Sequence, residues 1–217
     1  MLAPVPRGAL SVRDEDLSTA LTAAVRGSDA GFTTLWRALN PAVLRYLRVV
    51  CGEAAEDVAS ETWLQVARAL PGFTGDATTF RVWLFRVARH RGIDDGRRAW
   101  RKREQARESV EPVDGRAERD VLFDVIENSG TEWALSLIGT LPPDQAEAVL
   151  LRVVAGLDAA GAAQVLGKRA GAVRIAAMRG LRRLAAHPQV RDRRAAAGPP
   201  RPRGELRLEG NRTDGRA

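Results

Sequence analysis

Apolar side chains recur along this chain at helical spacing, and no run alternates in the way a half-buried strand requires. That pattern predicts an all-α fold. It is cut at Asn40-Pro41, Cys51-Gly52, Pro71-Gly72 and Gly75, residue types that end helices by removing a backbone donor or relaxing the backbone. In AEDVASETWLQVARAL, residues 55–70, Ala59, Trp63, Val66 and Leu70 fall on one narrow stripe, and Asp57, Glu61, Leu64 and Arg68 share the opposite face. One face packs and the other is available to a partner, although a merely solvated acidic face would look the same. PGFTGDATTF follows as a loop, with an exposed-looking Phe73 and a helix cap at Thr78 or Thr79. The next helix, FRVWLFRVARHRGIDDGRR, sets Phe80, Trp83, Leu84 and Val87 on a packing side, with Arg86, Arg89 and His90 elsewhere. Rings stack on unpaired bases and guanidinium groups hold a nucleic-acid backbone, so arginine beside aromatics suits single strands. Phe80 and Trp83 would serve equally as plain core.

Charge is segregated along the chain. Its 217 residues carry 34 Lys and Arg against 27 Asp and Glu, a net charge of +7, which favours a polyanionic partner. Residues 81–103 hold nine basic side chains against Asp94 and Asp95, and residues 168–194 hold nine against Asp192 alone. Residues 104–147 between them carry eleven acids and three arginines. Two basic blocks around an acidic middle predict two DNA-contacting modules and a connector. The expected organisation is two small helical domains, 14–103 and 130–187, joined by a flexible acidic linker at 104–129. Residues 1–13 and the basic tail 188–217 lack apolar periodicity and are expected to be disordered. DVLFDVI, residues 120–126, could form a short helix within the linker.

In the second module Thr140 and Pro142 are expected to open one helix, Asp158 to cap the next, and Gly167 to turn the chain before the last. Helix 158–166, turn 167–170 and basic helix 171–186 make a helix-turn-helix layout, whose last helix can enter a major groove. Any tight helical hairpin can imitate it.

Composition narrows the function further. Cys51 is alone and cannot form an internal disulfide, no apolar run is long enough for a membrane span, and the first residues lack the apolar core of a signal peptide. A cytoplasmic location is the expectation. His90 and His187 are the only histidines, and no HExxH, GxxxxGK[ST] or CxxC pattern occurs. We therefore expect no enzyme, no metal and no cofactor.

In motif order and spacing, residues 55–70 and the following loop and helix resemble region two of the sigma-70 family, in particular its extracytoplasmic-function (ECF) branch. LPPDQAEAVLLRVVAGL and AAQVLGKRAGAVRIAAMRGLRRL resemble ECF region four. The resemblance implies a sigma factor that binds core RNA polymerase and directs promoter recognition, DNA melting and initiation. It implies contacts with the clamp helices of the largest subunit through Asp57, Glu61, Leu64 and Arg68, and with the flap of the second-largest subunit. Phe73, Thr74, Gly75 and Asp76 would form a base pocket at the minus-ten element, with Arg86, Arg89, His90, Arg97 and Arg98 along the melted strand. Arg169, Ala172, Arg174, Ile175 and Ala176 would touch the minus-35 element, and Arg179, Arg182 and Arg183 its phosphates. The free chain would be a monomer, with an anti-sigma factor as a further partner. This sequence departs from the family at His90, often Asn, and at Gly161 and Ala162, where an acidic and a large apolar residue are usual. Ala176, Ala177 and Met178 replace a polar or basic run, so phosphate contacts and DNA shape should carry more of the reading. The alternative is a stand-alone helix-turn-helix regulator, which would bind its promoter without polymerase.

Overall fold

The computed structural model describes residues 14–108 and 129–196, and all regular structure among them is helical. Contacts divide the chain after Leu184. The first unit opens with α1 (Asp14–Val25) and α2 (Asp29–Cys51), followed by a tight turn at Gly52–Ala54 and α3 (Ala55–Ala69). A second tight turn, Leu70–Gly72, leads to α4 (Ala77–Glu108). After the linker come α5 (Ser129–Gly139), α6 (Pro143–Val149), a widened turn at Leu150–Val154, α7 (Ala159–Leu166) and α8 (Ala170–Ala186).

Three expected stops hold, at Cys51-Gly52, Pro71-Gly72 and Gly75, but Asn40-Pro41 does not: α2 runs through Pro41. An interior proline costs a helix about 3 kcal/mol. On either side of it Leu35, Leu39, Val43, Tyr46 and Leu47 are buried, each contributing about 1.5–3 kcal/mol, so packing overrides the break. Ser28 secures the start of the helix by accepting the Gly31 N–H at 3.2 Å. Asn40 also gains a use, since its Oδ1 accepts the Trp63 Nε1–H at 2.9 Å and ties α2 to α3.

The centre of the first helical group is built from Tyr46, Phe80, Phe85, Leu47, Leu84 and Val66, all fully buried. Tyr46 meets Phe85 edge-on at 5.7 Å, and Phe32 meets Trp63 the same way at 5.9 Å. The stripe Ala59, Trp63, Val66 and Leu70 is buried as its periodicity required. α1 is held close to α2 by Gly31, where a Cβ would lie 2.8 Å from both the Ala20 carbonyl oxygen and the Ala24 nitrogen.

The second helical group buries Leu135, Ile138, Val149, Leu150, Val165 and Val173. Here the expected helix start moves: Thr140 donates its hydroxyl to the Leu137 carbonyl at 2.7 Å and closes α5, while Pro142 and Pro143 open α6. Pro143 fits the first turn because its missing N–H has no intrahelical partner there. The two groups share one apolar cluster, with α4 against α7 and α2 against α5 and α6. α4 continues to Glu108, past the boundary expected at 103. Most of the expected linker, including residues 120–126, lies outside the described residues, as does the N-terminal segment.

The second unit, from Ala185, contains α9 (Pro188–Ala196), where a structureless tail was expected. Pro188 suits a first helical position, and the His187 carbonyl accepts the N–H groups of Val190 and Arg191 at 3.0 and 3.1 Å. Residues 197–217 lie outside the described part.

Two predictions follow from this packing. Gly31→Ala places a methyl group against backbone that cannot turn aside, so thermal unfolding should show a loss of about 1–3 kcal/mol; an unchanged melting temperature would refute the close crossing. Burial, helped by the negative charge of Asp95, pushes the Cys51 thiol up to about 11. Since the thiolate is the reactive form, iodoacetamide should label native protein slowly at pH 8 and faster as pH rises toward that value, while urea-unfolded chain reacts readily at pH 8.

Candidate functional site

Three solvent-facing surfaces carry the residues singled out in the sequence. The first is the outer side of α3, where Asp57, Glu61, Leu64 and Arg68 are all exposed, Leu64 to 57%. Glu56 and Asp57 lie in the first turn, where negative charge complements the helix dipole. Glu61 is not free: Arg91 of α4 donates to it at 2.9 Å and to Gln65 at 3.0 Å, bracing the acidic face. Beside this face a shallow cleft is lined by Trp36, Asn40, Leu44, Glu56, Ser60 and Trp63. Trp36 is 42% exposed and was missed from sequence. The signal was its place one residue off the buried Leu35, Leu39, Val43 stripe.

The second surface is the loop before α4 and that helix's exposed side. The open position expected of Phe73 is corrected: its ring packs 5.4 Å from Phe80 and 5.3 Å from Trp83 and is half-buried. Burying the ring against two others is worth more than leaving it in water. Thr74, Gly75 and Asp76 remain exposed above it. Gly75 adopts φ +145, and a side chain there would meet Thr79 at 2.9 Å and the Phe73 ring at 3.2 Å, so the loop needs a glycine. The helix cap is Asp76 rather than Thr78 or Thr79, its Oδ1 accepting the Thr79 N–H at 2.7 Å. Hydrogen bonds from the Thr79 side chain and backbone, with a smaller one from the Thr78 backbone, hold the Asp76 carboxyl below its ordinary range.

Along α4, Arg86 and His90 are exposed, whereas Arg89 is engaged. Its Nε and Nη2 donate to the two carboxylate oxygens of Glu147 on α6 at 3.1 and 3.2 Å, and the Tyr46 hydroxyl donates to the same carboxylate at 3.2 Å. Burial works against the Arg89 charge, but the hydrogen bond and charge of Glu147 outweigh it and raise the guanidinium above its ordinary value. Burial, then Glu147, raises Tyr46 in turn. Arg97 and Arg98 sit further along α4, and their side chains lie outside the described ones.

The third surface is the helix-turn-helix of α7 and α8. Asp158 caps α7 as expected, accepting the Gly161 N–H at 2.7 Å. Gly167 turns the chain in the left-handed conformation, φ +64 and ψ +33. α8 is pressed against the end of α6 at Gly180, where a Cβ would lie 2.8 Å from Val149. With Val173, Ala177 and Gly180 buried, Arg169, Ala172, Arg174, Ile175, Arg179, Arg182 and Arg183 are exposed and Ala176 is half-buried. Ile175 and Met178 present apolar surface among the arginines, 48% and 43% exposed. A helix of this kind can hold phosphates with guanidinium groups and offer apolar contact to thymine methyl groups. The exposed part of the second surface has the donors and adjoining rings to hold a single strand.

The sequence matches Sigma-70 region 2 over residues 35–102 and Sigma-70 region 4 over residues 131–184. It is 32% identical to the ECF RNA polymerase sigma factor SigD of Mycobacterium tuberculosis, over 81% of this chain and 85% of SigD. It is 33% identical to the ECF RNA polymerase sigma factor ShbA of Streptomyces griseus, over 75% and 90% of the two chains. This chain belongs to the ECF RNA polymerase sigma factors. As a sigma factor it binds core RNA polymerase and directs promoter recognition, DNA melting and initiation. Its fold is similar to that of CnrH, solved with the cytosolic domain of CnrY, at TM-score 0.54 and 23% identity over 79% of this chain and 96% of the other. The sigma factor RpoE of Bartonella quintana, solved with the anti-sigma factor NepR, matches at TM-score 0.54 and 19% identity over 71% and 94%. Among the described residues, no group of side chains could hold a metal ion and no helix is long and apolar enough to cross a membrane.

The Asp158 cap fixes the start of the first helix of the helix-turn-helix. Asp158→Ala should lower stability by about 1 kcal/mol in urea unfolding and Asp158→Asn by much less; equal losses would mean that the side chain acts otherwise than as a cap.

Proposed function

We propose that this sigma factor divides its work among the three surfaces. Asp57, Glu61, Leu64 and Arg68, with Trp36 beside them, take the polymerase clamp helices. Thr74, Gly75 and Asp76 rim the minus-ten pocket over Phe73, and Arg86, Arg89, His90, Arg97 and Arg98 track the melted strand. Arg169, Ala172, Arg174, Ile175 and Ala176 read the minus-35 element, while Arg179, Arg182 and Arg183 hold its phosphates. The observation that carries this reading is the sidedness of α3 and α8. Each buries one apolar stripe and leaves the assigned residues, half-buried Ala176 apart, on the other side. The chain acts through binding, with no reaction of its own, in the cytoplasm. CnrH and RpoE were both solved with protein partners, which supports an anti-sigma factor as a partner of this chain too.

Transcription from a genomic promoter library, with core polymerase and with or without the chain, tests the assignment. Start sites sharing an upstream motif should appear only with the chain. Asp57→Ala/Glu61→Ala should raise the concentration needed by about tenfold, equivalent to about 1.4 kcal/mol. Arg174→Ala should cost about 1–3 kcal/mol at one upstream base pair and relax the preference there. Absence of start sites together with tight duplex binding by the chain alone would favour the stand-alone regulator.

A further inference from the structure

We propose that Arg89 is a contested position: Glu147 of α6 holds it in the free chain, and the promoter strand takes it in the polymerase-bound chain. The carboxylate thus latches the second helical group onto the first. The proposal rests on the assignment of α4 to the melted strand.

The contact is built rather than incidental. The Arg89–Glu147 pair is two-pronged, and the side chains are only 21% and 16% exposed, so it is shielded from the solvent screening that weakens surface ion pairs. The Tyr46 hydroxyl adds a third donor to the same carboxylate. At another point of the interface Arg48 of α2 donates to Glu132 of α5 at 2.8 Å. At a third, α7 lies so close to α4 that a Cβ on Gly161 would sit 2.9 Å from Val82 Cγ2. A glycine inside a helix costs about 1 kcal/mol relative to alanine, and the approach to Val82 accounts for it.

Length then requires the contact to open. Elements named for positions minus-ten and minus-35 lie roughly 25 base pairs apart, about 85 Å at ~3.4 Å per pair. Two modules in van der Waals contact cannot read both. Residues 109–128, if fully extended, can reach at most about 70 Å, and the dimensions of the modules make up the rest. A carboxylate on a guanidinium also occupies the place a phosphate oxygen would take, so closure and strand binding compete for Arg89.

The test uses full-length protein with dyes on Thr19→Cys and Gln164→Cys, two exposed positions on α1 and α7, with the slow-reacting Cys51 left in place. Single-molecule energy transfer should show mainly the closed distance for the wild type and the open distance after core polymerase is added. Glu147→Gln should raise the open fraction of the free chain by about tenfold, a shift of about 1.4 kcal/mol. Gly161→Leu, whose side chain would meet Val82 of α4 first and crowd the Asp158 cap less closely, should do the same without any change of charge, and its circular dichroism must show α7 intact. Introducing Arg89→Gln should remove most of the Glu147→Gln effect. At limiting chain, Glu147→Gln should reach half-maximal transcription at a lower concentration. Distances unchanged in both variants, with native circular dichroism, would overturn the latch. A latch that responds as described in a chain whose Arg89→Gln variant still melts promoters normally would leave the closure standing and sink the competition with DNA. Failure of the wild-type chain to initiate with core polymerase would sink the strand assignment itself.

Discussion

The burial of one apolar stripe on α3, and of α4 on several sides between Phe80 and Ala88, is the constraint from which the exposed surfaces follow. Removing a large apolar side chain from water is worth about 1.5–3 kcal/mol, while an exposed ion pair contributes about 0–1 kcal/mol. Trp63, Val66, Phe80, Leu84 and Phe85 therefore set the rotation of the two helices, and the charged residues take the directions that remain. Asp57, Glu61, Leu64 and Arg68 face solvent because Ala59, Trp63, Val66 and Leu70 cannot. The same logic turns Val173 and Ala177 of α8 inward and its arginines outward. Under the proposed assignment, recognition is thus a by-product of core packing, made specific by the residues on the far side of each stripe.

Helix crossings add a second condition. Aromatic residues make up 5% of the chain, and the helices approach closely at positions without side chains. Gly31, Gly161 and Gly180 each lie where a Cβ would come within 3 Å of a neighbouring helix. Close approach increases dispersion contact between the flanking side chains, and at Gly161 it joins the two helical groups. The polar contacts at that join, Glu147 with Arg89 and Tyr46 and Glu132 with Arg48, are exchangeable for water or for another anion in a way that an apolar core is not. That difference lets the core of each group persist while the join opens.

The outer side of α8 ties sequence departures to chemistry. Alanine and isoleucine at 172, 175 and 176 supply no hydrogen bonds to base edges, so Arg169 and Arg174 are left as the side chains near its N-terminal end that can make them. Under the proposed assignment, affinity would come largely from phosphate contacts, and selectivity from a few contacts together with DNA shape. A promoter preference in which the upstream element is permissive fits this surface.

Helical class, the stripe of α3, the Asp158 cap, the Gly167 turn and the helix-turn-helix were legible in the residues, because each depends on neighbours within a turn or two of the same helix, whereas α4 also buries Val82, Phe85 and Ala88 outside its expected packing side and leaves Trp83 half-buried. The family could be read too, since its two motifs stand in order with the right spacing. Continuation of α2 through Pro41, the half-buried place of Phe73, the exposure of Trp36 and the start of α6 at Pro143, with Thr140 left to close α5, were decided otherwise. Each balances a local preference against packing with residues far along the chain, and periodicity carries no information about such partners. Arg89 shows the division most clearly. The sequence by itself determined only that an arginine would stand off the expected packing side of a basic helix, from its offset relative to Phe80, Leu84 and Val87. Only the tertiary structure decided that Glu147, fifty-eight residues away, would hold it, because a charge pair of that kind depends on which helices meet and not on the spacing of residues within either one.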